Sequence, residues 1–138
     1  MIILLILSLS VAAHADVVMR SLGDVSTHKL NIDKSVVKGF LFFQKDCSAC
    51  KQQIADVKCL EESMELSLVG AFSSEQDLRK EYKKLRAPYP GYYGDKDVLK
   101  YFKIKDGLTP QIVVIKEGRM KKNKGYMSCS ALKEYFLK

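Results

Sequence analysis

Histidine is almost missing from this chain: of 138 residues only His14 and His28 carry an imidazole. His14 falls in an N-terminal stretch with the form of an export signal. An apolar run from Ile2 to Leu7 is followed by Ser-Leu-Ser-Val-Ala and the small-x-small ending Ala13-His14-Ala15, with Asp16 as the mature N-terminus. Cleavage there leaves His28 alone. A Cys-His or Ser-His nucleophile system would have to rest on it, and its setting, Ser26-Thr27-His28-Lys29, reads as a surface strand or turn with an exposed, partnerless imidazole. Copper delivery by thiols and a downstream histidine is disfavoured too, because no histidine follows position 28. Also missing is an apolar run of bilayer-spanning length. Ile2–Leu7 is soon interrupted by polar residues and no Lys or Arg precedes it, so the alternative to a cleaved signal is an uncleaved anchor lying on the membrane. With no internal repeat or low-complexity segment, residues 16–138 read as one domain, long enough to bury a core.

Acidic residues are in the minority: 16 Asp and Glu against 23 Lys and Arg, a formal charge of +7, all of it after residue 15. For an exported protein the expected counterpart is anionic lipid or an acidic partner, not nucleic acid. The densest basic patch, Lys121-Lys122-Asn123-Lys124, reads as a solvated hairpin edge that its lysines keep from aggregating.

Four cysteines are present, and only one pair is close in sequence. Structural zinc normally draws on two close pairs, so Cys47, Cys50, Cys59 and Cys129 do not read as a metal site, and no cofactor beyond a redox-active disulfide is expected. Cys47-Ser48-Ala49-Cys50 stands where the apolar run Val36 to Phe43 gives way to a helical pattern beginning near Lys51. A strand there delivers the first sulfur to the tip of a helix, whose free N–H groups and positive dipole end favour thiolate over thiol. The second cysteine lies one turn on, within reach of any mixed disulfide that the first one forms.

Around this pair the pattern predicts an α/β chain. Val17–Leu22 and Lys29–Ile32 flank a Gly23-Asp24 turn and read as two short strands. Val36–Gln44 is apolar on both faces, as a central strand covered by helices requires. A helix is expected from Ser48 to about Ser63 with Cys50, Ile54 and Val57 on one stripe, then a strand over Glu65–Phe72. Ser73 with Gln76 forms a capping box for an amphipathic helix over Glu75–Leu85. Ala87-Pro88-Tyr89-Pro90-Gly91-Tyr92-Tyr93-Gly94 cannot continue that helix and reads as a loop or edge excursion. Asp95 caps a short helix to about Phe102. Gln111–Lys116 and Arg119–Tyr126 form a hairpin about Glu117-Gly118, and Ser128 caps a last helix with Leu132, Tyr135 and Phe136 inward. The result is a mixed sheet with helices on both faces and a short N-terminal β extension.

That order, with Cys-x-x-Cys after the first core strand, Thr109-Pro110 just before the closing hairpin and Gly125-Tyr126-Met127-Ser128 before the final helix, resembles the thioredoxin fold. The inserted piece Tyr89–Gly94, the Asp95-Lys96-Asp97 helix start and the export signal look most like the TlpA/ResA-type extracytoplasmic thioredoxin-like proteins, over about Asp33 to Lys138. The resemblance implies Cys47 as attacking and Cys50 as resolving thiol. It makes Pro110 a cis-proline facing the pair, and Thr109, Pro110 and Asp46 candidates for substrate binding; the alternative for Pro110 is a trans residue that merely opens a strand. The chain departs from the family at three places. Asp46 stands where tryptophan is usual, and no Trp occurs at all; its carboxylate opposes thiolate formation while Lys45 and Lys51 favour it. Leu41 replaces an acid buried beneath the pair. Ser48-Ala49 is neither the reducing nor the oxidising dipeptide best known between such cysteines.

Cys59 lies half a turn from Cys50 around an ideal helix, off the apolar stripe, and Cys129 opens the final helix. An even cysteine count in an oxidising compartment suggests a Cys59–Cys129 bridge, and the helices concerned pack on one sheet face in this fold; two inert packed thiols, or a site for mixed disulfides, are the alternatives. Tyr89, Tyr92 and Tyr93 suit loop packing more than an aromatic wall for peptides.

The expected function is that of an exported thiol–disulfide oxidoreductase, periplasmic or secreted, and membrane-associated if the N-terminal segment stays on. The resemblance tilts it toward reduction of exported protein disulfides, cytochrome c precursors among them, as a monomer recharged by a membrane electron donor. The competing classes are a thioredoxin-like binding module with a structural Cys47–Cys50 bridge and, less favoured, a metallochaperone.

Overall fold

The structure is a computed structural model that describes residues 17–30 and 35–138. The export signal expected over residues 1–15, and the end of the second N-terminal strand at Ile32, lie outside the described residues. Among the described residues seven strands form one sheet: β1 (Val18–Ser21), β2 (Thr27–Lys29), β3 (Lys38–Phe43), β4 (Glu65–Gly70), β5 (Gly91–Tyr93), β6 (Gln111–Lys116) and β7 (Arg119–Lys124). Their order across the sheet is β2-β1-β5-β4-β3-β6-β7, with β3, β4 and β5 parallel and the flanking strands antiparallel.

The alternation of side chains along β3 sorts the core into two layers. Leu41 and Phe43 join Leu22, Ile54, Val57, Leu78 and Leu132 under α1 (Ser48–Asp56), α2 (Glu75–Leu85) and α4 (Cys129–Leu137). Phe40 and Phe42 point the other way, toward Val69, Val113 and the Phe102 that follows α3 (Lys96–Tyr101). Phe102 meets both rings at centroid distances of 4.8 and 5.3 Å. A strand buried on both faces needs apolar residues at every position, which is why Lys38–Phe43 shows no polar alternation.

Several elements differ from the pattern-based expectation. The helix expected to run to Ser63 ends at Asp56 and tightens into a 3₁₀ turn over Val57–Leu60. In a 3₁₀ turn residues i and i+3 eclipse, so Val57 and Leu60 both reach the core, and Cys59 is swung from its ideal-helix position toward α4. The cap of α2 is Ser74, not Ser73: its hydroxyl accepts from the Asp77 N–H at 3.2 Å. The shift follows from Phe72, whose left-handed φ of 61° ends β4 two residues earlier than expected and turns the chain. Strand β7 stops at Lys124 because Gly125, at φ 85°, turns its N–H to the Pro110 carbonyl at 2.8 Å.

The segment Tyr89–Gly94 is no edge excursion, since β5 lies inside the sheet between β4 and β1. Only glycine fits at position 91, where a Cβ would stand 2.4 Å from the Tyr82 ring. The lysines of β7 are anchored rather than merely solvated. Lys121 donates to the Tyr135 carbonyl and lies 4.2 Å from that ring's centre, Lys122 donates to the Lys103 carbonyl at 2.9 Å, and Lys124 pairs with Asp106 at 2.6 Å. His28 is exposed on β2, as expected, yet not partnerless. Its Nε2 lies 2.9 Å from the Ser26 hydroxyl, and its ring meets Tyr92 edge-on at 5.5 Å.

Candidate active site

The carboxyl end of β3 carries the chain through Asp46, at a left-handed φ of 56°, into Cys47, which is the N-cap of α1. Cys47 and Cys50 are bridged, with Cα atoms 5.2 Å apart. The Cys47 sulfur accepts a hydrogen bond from the Cys50 N–H at 3.2 Å, so a sulfur does at this helix what a serine or aspartate oxygen usually does. Exposure divides the pair: Cys47 is half-buried, whereas Cys50 is 2% exposed and packs with Leu41 and Ile54. Leu41 lies in that apolar layer, so the strand residue beneath the pair brings no carboxylate to it.

From 62 positions away in the chain, Thr109 reaches the same sulfur. Its hydroxyl donates to Cys47 Sγ at 3.5 Å and its carbonyl oxygen stands 3.7 Å from it. The Thr109–Pro110 peptide is cis. Antiparallel pairing of Phe42 with Gln111 sets Pro110 alongside the end of β3, which is how the sheet brings the two segments together. Asp46 is not joined to this group. It is exposed and makes no side-chain hydrogen bond or ion pair among the described residues, while Lys45 turns to Asp77 at 3.7 Å.

Two residues that pattern reasoning passed over hold the site's walls. Gln111 is buried, and its Nε2 donates to Asp106 Oδ1 at 2.9 Å and to the Leu108 carbonyl at 2.7 Å, fastening the loop that presents Thr109. Asp106 is held in turn by Lys124, whose hydrogen bond is the main reason its carboxyl sits below the ordinary value; the charge of Lys124, a Leu108 N–H and Gln111 add to this. Gln53, fully buried, donates from Nε2 to the Met127 carbonyl at 3.1 Å and accepts from the Met127 N–H at 2.8 Å. The available signal was a glutamine beside Ile54 on the helix face that also carries Cys50, and another directly after Thr-Pro in an otherwise apolar strand.

Cys59 and Cys129 form a second bridge, Cα to Cα 6.1 Å, between the 3₁₀ turn and the first residue of α4. With Gln53–Met127 and a hydrogen bond from the Tyr126 hydroxyl to Asp56, which raises the tyrosine's pKa, it ties the motif helix to the segment before α4. The tyrosines of the inserted segment are engaged in packing. Tyr89 is buried and donates to Glu61 at 2.6 Å; burial first, then Glu61, pushes its pKa up. Tyr92 meets His28, and Tyr93 lies 5.2 Å beneath the Arg20 guanidinium. Leu108, 60% exposed, adjoins Thr109, and Phe72 and Tyr126 are also exposed at strand ends on this side of the sheet. Among the described residues no group of three or more His, Cys, Asp or Glu is placed to hold a metal ion, and no helix is long and apolar enough to cross a membrane.

No family model and no curated protein matches this sequence. Solved structures do match its fold. The exposed lipoprotein thioredoxin of Streptococcus pneumoniae superposes with a TM-score of 0.70 at 22% identity, covering 87% of this chain and 96% of the other. StoA from Bacillus subtilis gives 0.66 at 18% identity over 88% and 96% of the two chains. A thiol:disulfide interchange protein DsbE from Chlorobium tepidum gives 0.68 at 17% identity over 88% and 91%. The chain has the thioredoxin fold, in the form seen in these thioredoxin-like proteins.

Proposed function

We propose that this chain is an exported thiol–disulfide oxidoreductase that works on protein substrates through Cys47 and Cys50. The observation that carries the reading is the setting of one sulfur: Cys47 Sγ caps α1, accepts the Cys50 N–H at 3.2 Å and is flanked by the Thr109 hydroxyl at 3.5 Å. When the bridge is reduced, those donors and the helix dipole stabilise a thiolate on Cys47. The half-exposed sulfur attacks one sulfur of a substrate disulfide, whose S–S bond breaks and releases the other sulfur as a thiolate. Cys50, behind it, gives up its proton and attacks Cys47. The bridge re-forms, the substrate's second sulfur leaves, and two electrons and two protons have passed to the substrate.

Thr109 and Pro110 line the approach to Cys47 and hold an extended substrate segment. Asp46, exposed next to Cys47, is a further residue assigned to contact with that segment. Net reduction is the direction we favour, on the resemblance to TlpA/ResA-type proteins. Substrates are then cysteines of exported proteins, including cytochrome c precursors, and a membrane dithiol donor recharges a monomeric protein. The export signal over residues 1–15 supports action outside the cytoplasm, as do similar folds in proteins described as secreted or as an exposed lipoprotein. No cofactor beyond the disulfide enters this scheme.

Reduction of insulin by the purified chain with excess dithiol, set against Cys47→Ser, tests the activity. Turnover lost in the variant supports it, and equal background rates reject it. Redox titration of the pair gives the direction, since proteins of this chemistry span about −270 to −120 mV and a reductant lies at the lower end.

A further inference from the structure

Beside the motif helix runs a slot of about 450 Å³ that the redox scheme does not use. One wall is a single face of α1 and its 3₁₀ continuation, Lys51, Ile54, Ala55 and Lys58, at i, i+3, i+4 and i+7. The other is the end of α2 and the irregular chain leaving it, from Lys84 to Tyr89. The floor is apolar, with Ile54, Leu85 and Ala87 set back between the walls. The rim is basic: Lys51, Lys58, Lys84 and Arg86 are exposed, and their side chains form no ion pair or hydrogen bond among the described residues. The single acid of the lining, Glu61, is already engaged by the Tyr89 hydroxyl at 2.6 Å. Four unpaired cations thus surround an apolar recess against one carboxylate, and the lining keeps a net positive charge.

We propose that this slot docks an acidic peptide segment of a partner protein, with one or two apolar side chains seated on the floor and carboxylates on the basic rim. Charge complementarity sets the sign of the partner. Spacing sets its size: seven residues along a helix put Lys51 and Lys58 roughly 10 Å apart, too far for one small anion to bridge and close to three residues of extended chain. Shape separates it from a lipid surface, because a planar headgroup layer would meet the rim and leave the recessed floor uncovered. The slot begins at Lys51, next to Cys50, so a segment bound there lies within a helical turn of the disulfide. Its chemistry does not depend on the redox reading.

The test uses the full-length oxidised protein and a fluorescein-labelled peptide of alternating glutamate pairs and leucines, followed by anisotropy and by backbone amide shifts. Saturable binding is expected, with shifts confined to Lys51–Lys58 and Leu85–Tyr89. It should weaken about tenfold or more when salt is raised to about 0.5 M, in the K58E/R86E variant, and when serines replace the peptide's leucines. Far-ultraviolet circular dichroism and insulin reduction by K58E/R86E guard against misfolding, and K58Q/R86Q provides a milder version. No binding, equal binding by the variants, or shifts mapping elsewhere would overturn the proposal. So would sedimentation with phosphatidylglycerol vesicles that K58E/R86E abolishes while the peptide fails to bind, which would make the slot a membrane contact.

Discussion

The two disulfides differ in nearly every physical respect. Cys47–Cys50 closes a separation of 3 residues at an open end of the sheet, on a helix cap, with a hydroxyl and an N–H aimed at its outer sulfur. Cys59–Cys129 closes a separation of 70 residues and joins two helical segments that hydrogen bonds also tie together. Loop-closure entropy rises with loop length, so by chain-entropy arithmetic the long loop contributes about 4 kcal/mol to folding and the short one about half as much. Among the described residues the bridge that closes the longer loop has no polar donor aimed at its sulfurs, and the bridge that has such donors closes the shorter one. On the function proposed above, one chain thus separates the disulfide that holds the fold from the one that reacts.

The contrast breaks most completely if Cys47→Ser retains insulin reduction; we expect turnover to fall to background, with unfolding in denaturant shifted about half as far as by loss of the other bridge. Cys59→Ala with Cys129→Ala should lower the unfolding free energy by about 4 kcal/mol in urea titration while insulin reduction persists in the folded protein. Were that double variant as stable as the parent, the division of labour would be wrong. Gln53→Leu deletes both bonds to Met127 and should cost about 2 kcal/mol. Because Gln53 works beside the Cys59–Cys129 bridge, its loss should be non-additive with the double alanine variant, as a thermodynamic cycle would show.

The smallest effect concerns pH. Asp106 has a folded pKa below its ordinary 3.8, so the unfolded state binds its proton more readily. Its contribution is therefore present above about pH 4 and fades as pH falls through the folded value. Asp106→Asn should flatten that part of the stability profile only slightly, its side chain being 38% exposed and screened by solvent. A steeper loss of stability on acidification in the variant than in the parent would contradict the sign.

Much of the fold was legible from local pattern. The double-faced apolar run of β3, the caps at Asp95 and Ser128, and the β6–β7 hairpin about Glu117-Gly118 all rest on residues within four positions of each other. The Cys-x-x-Cys at a helix tip belongs to the same class. What was misread is equally specific. The 3₁₀ turn at Val57 and the interior position of β5 depend on what the opposing layer offers: a core that takes both Val57 and Leu60, and a Tyr82 ring that fits over Gly91. The Tyr92 ring beside His28 and the partners of the β7 lysines lie 14 or more positions away, outside any local window.

The amino-acid order alone set which sulfur stands at a helix tip and the apolar runs that become β3, β4 and β6, because hydrophobic period and capping act over one or two turns of chain. Tertiary structure chose the Cys59–Cys129 bridge among the alternatives the sequence left open, and it alone decided that Gln53 grips Met127 and that α1 and the chain after α2 enclose a basic slot. Each of those depends on how helices dock across a sheet, and the docking is fixed by packing summed over the whole core rather than by the residues that finally touch.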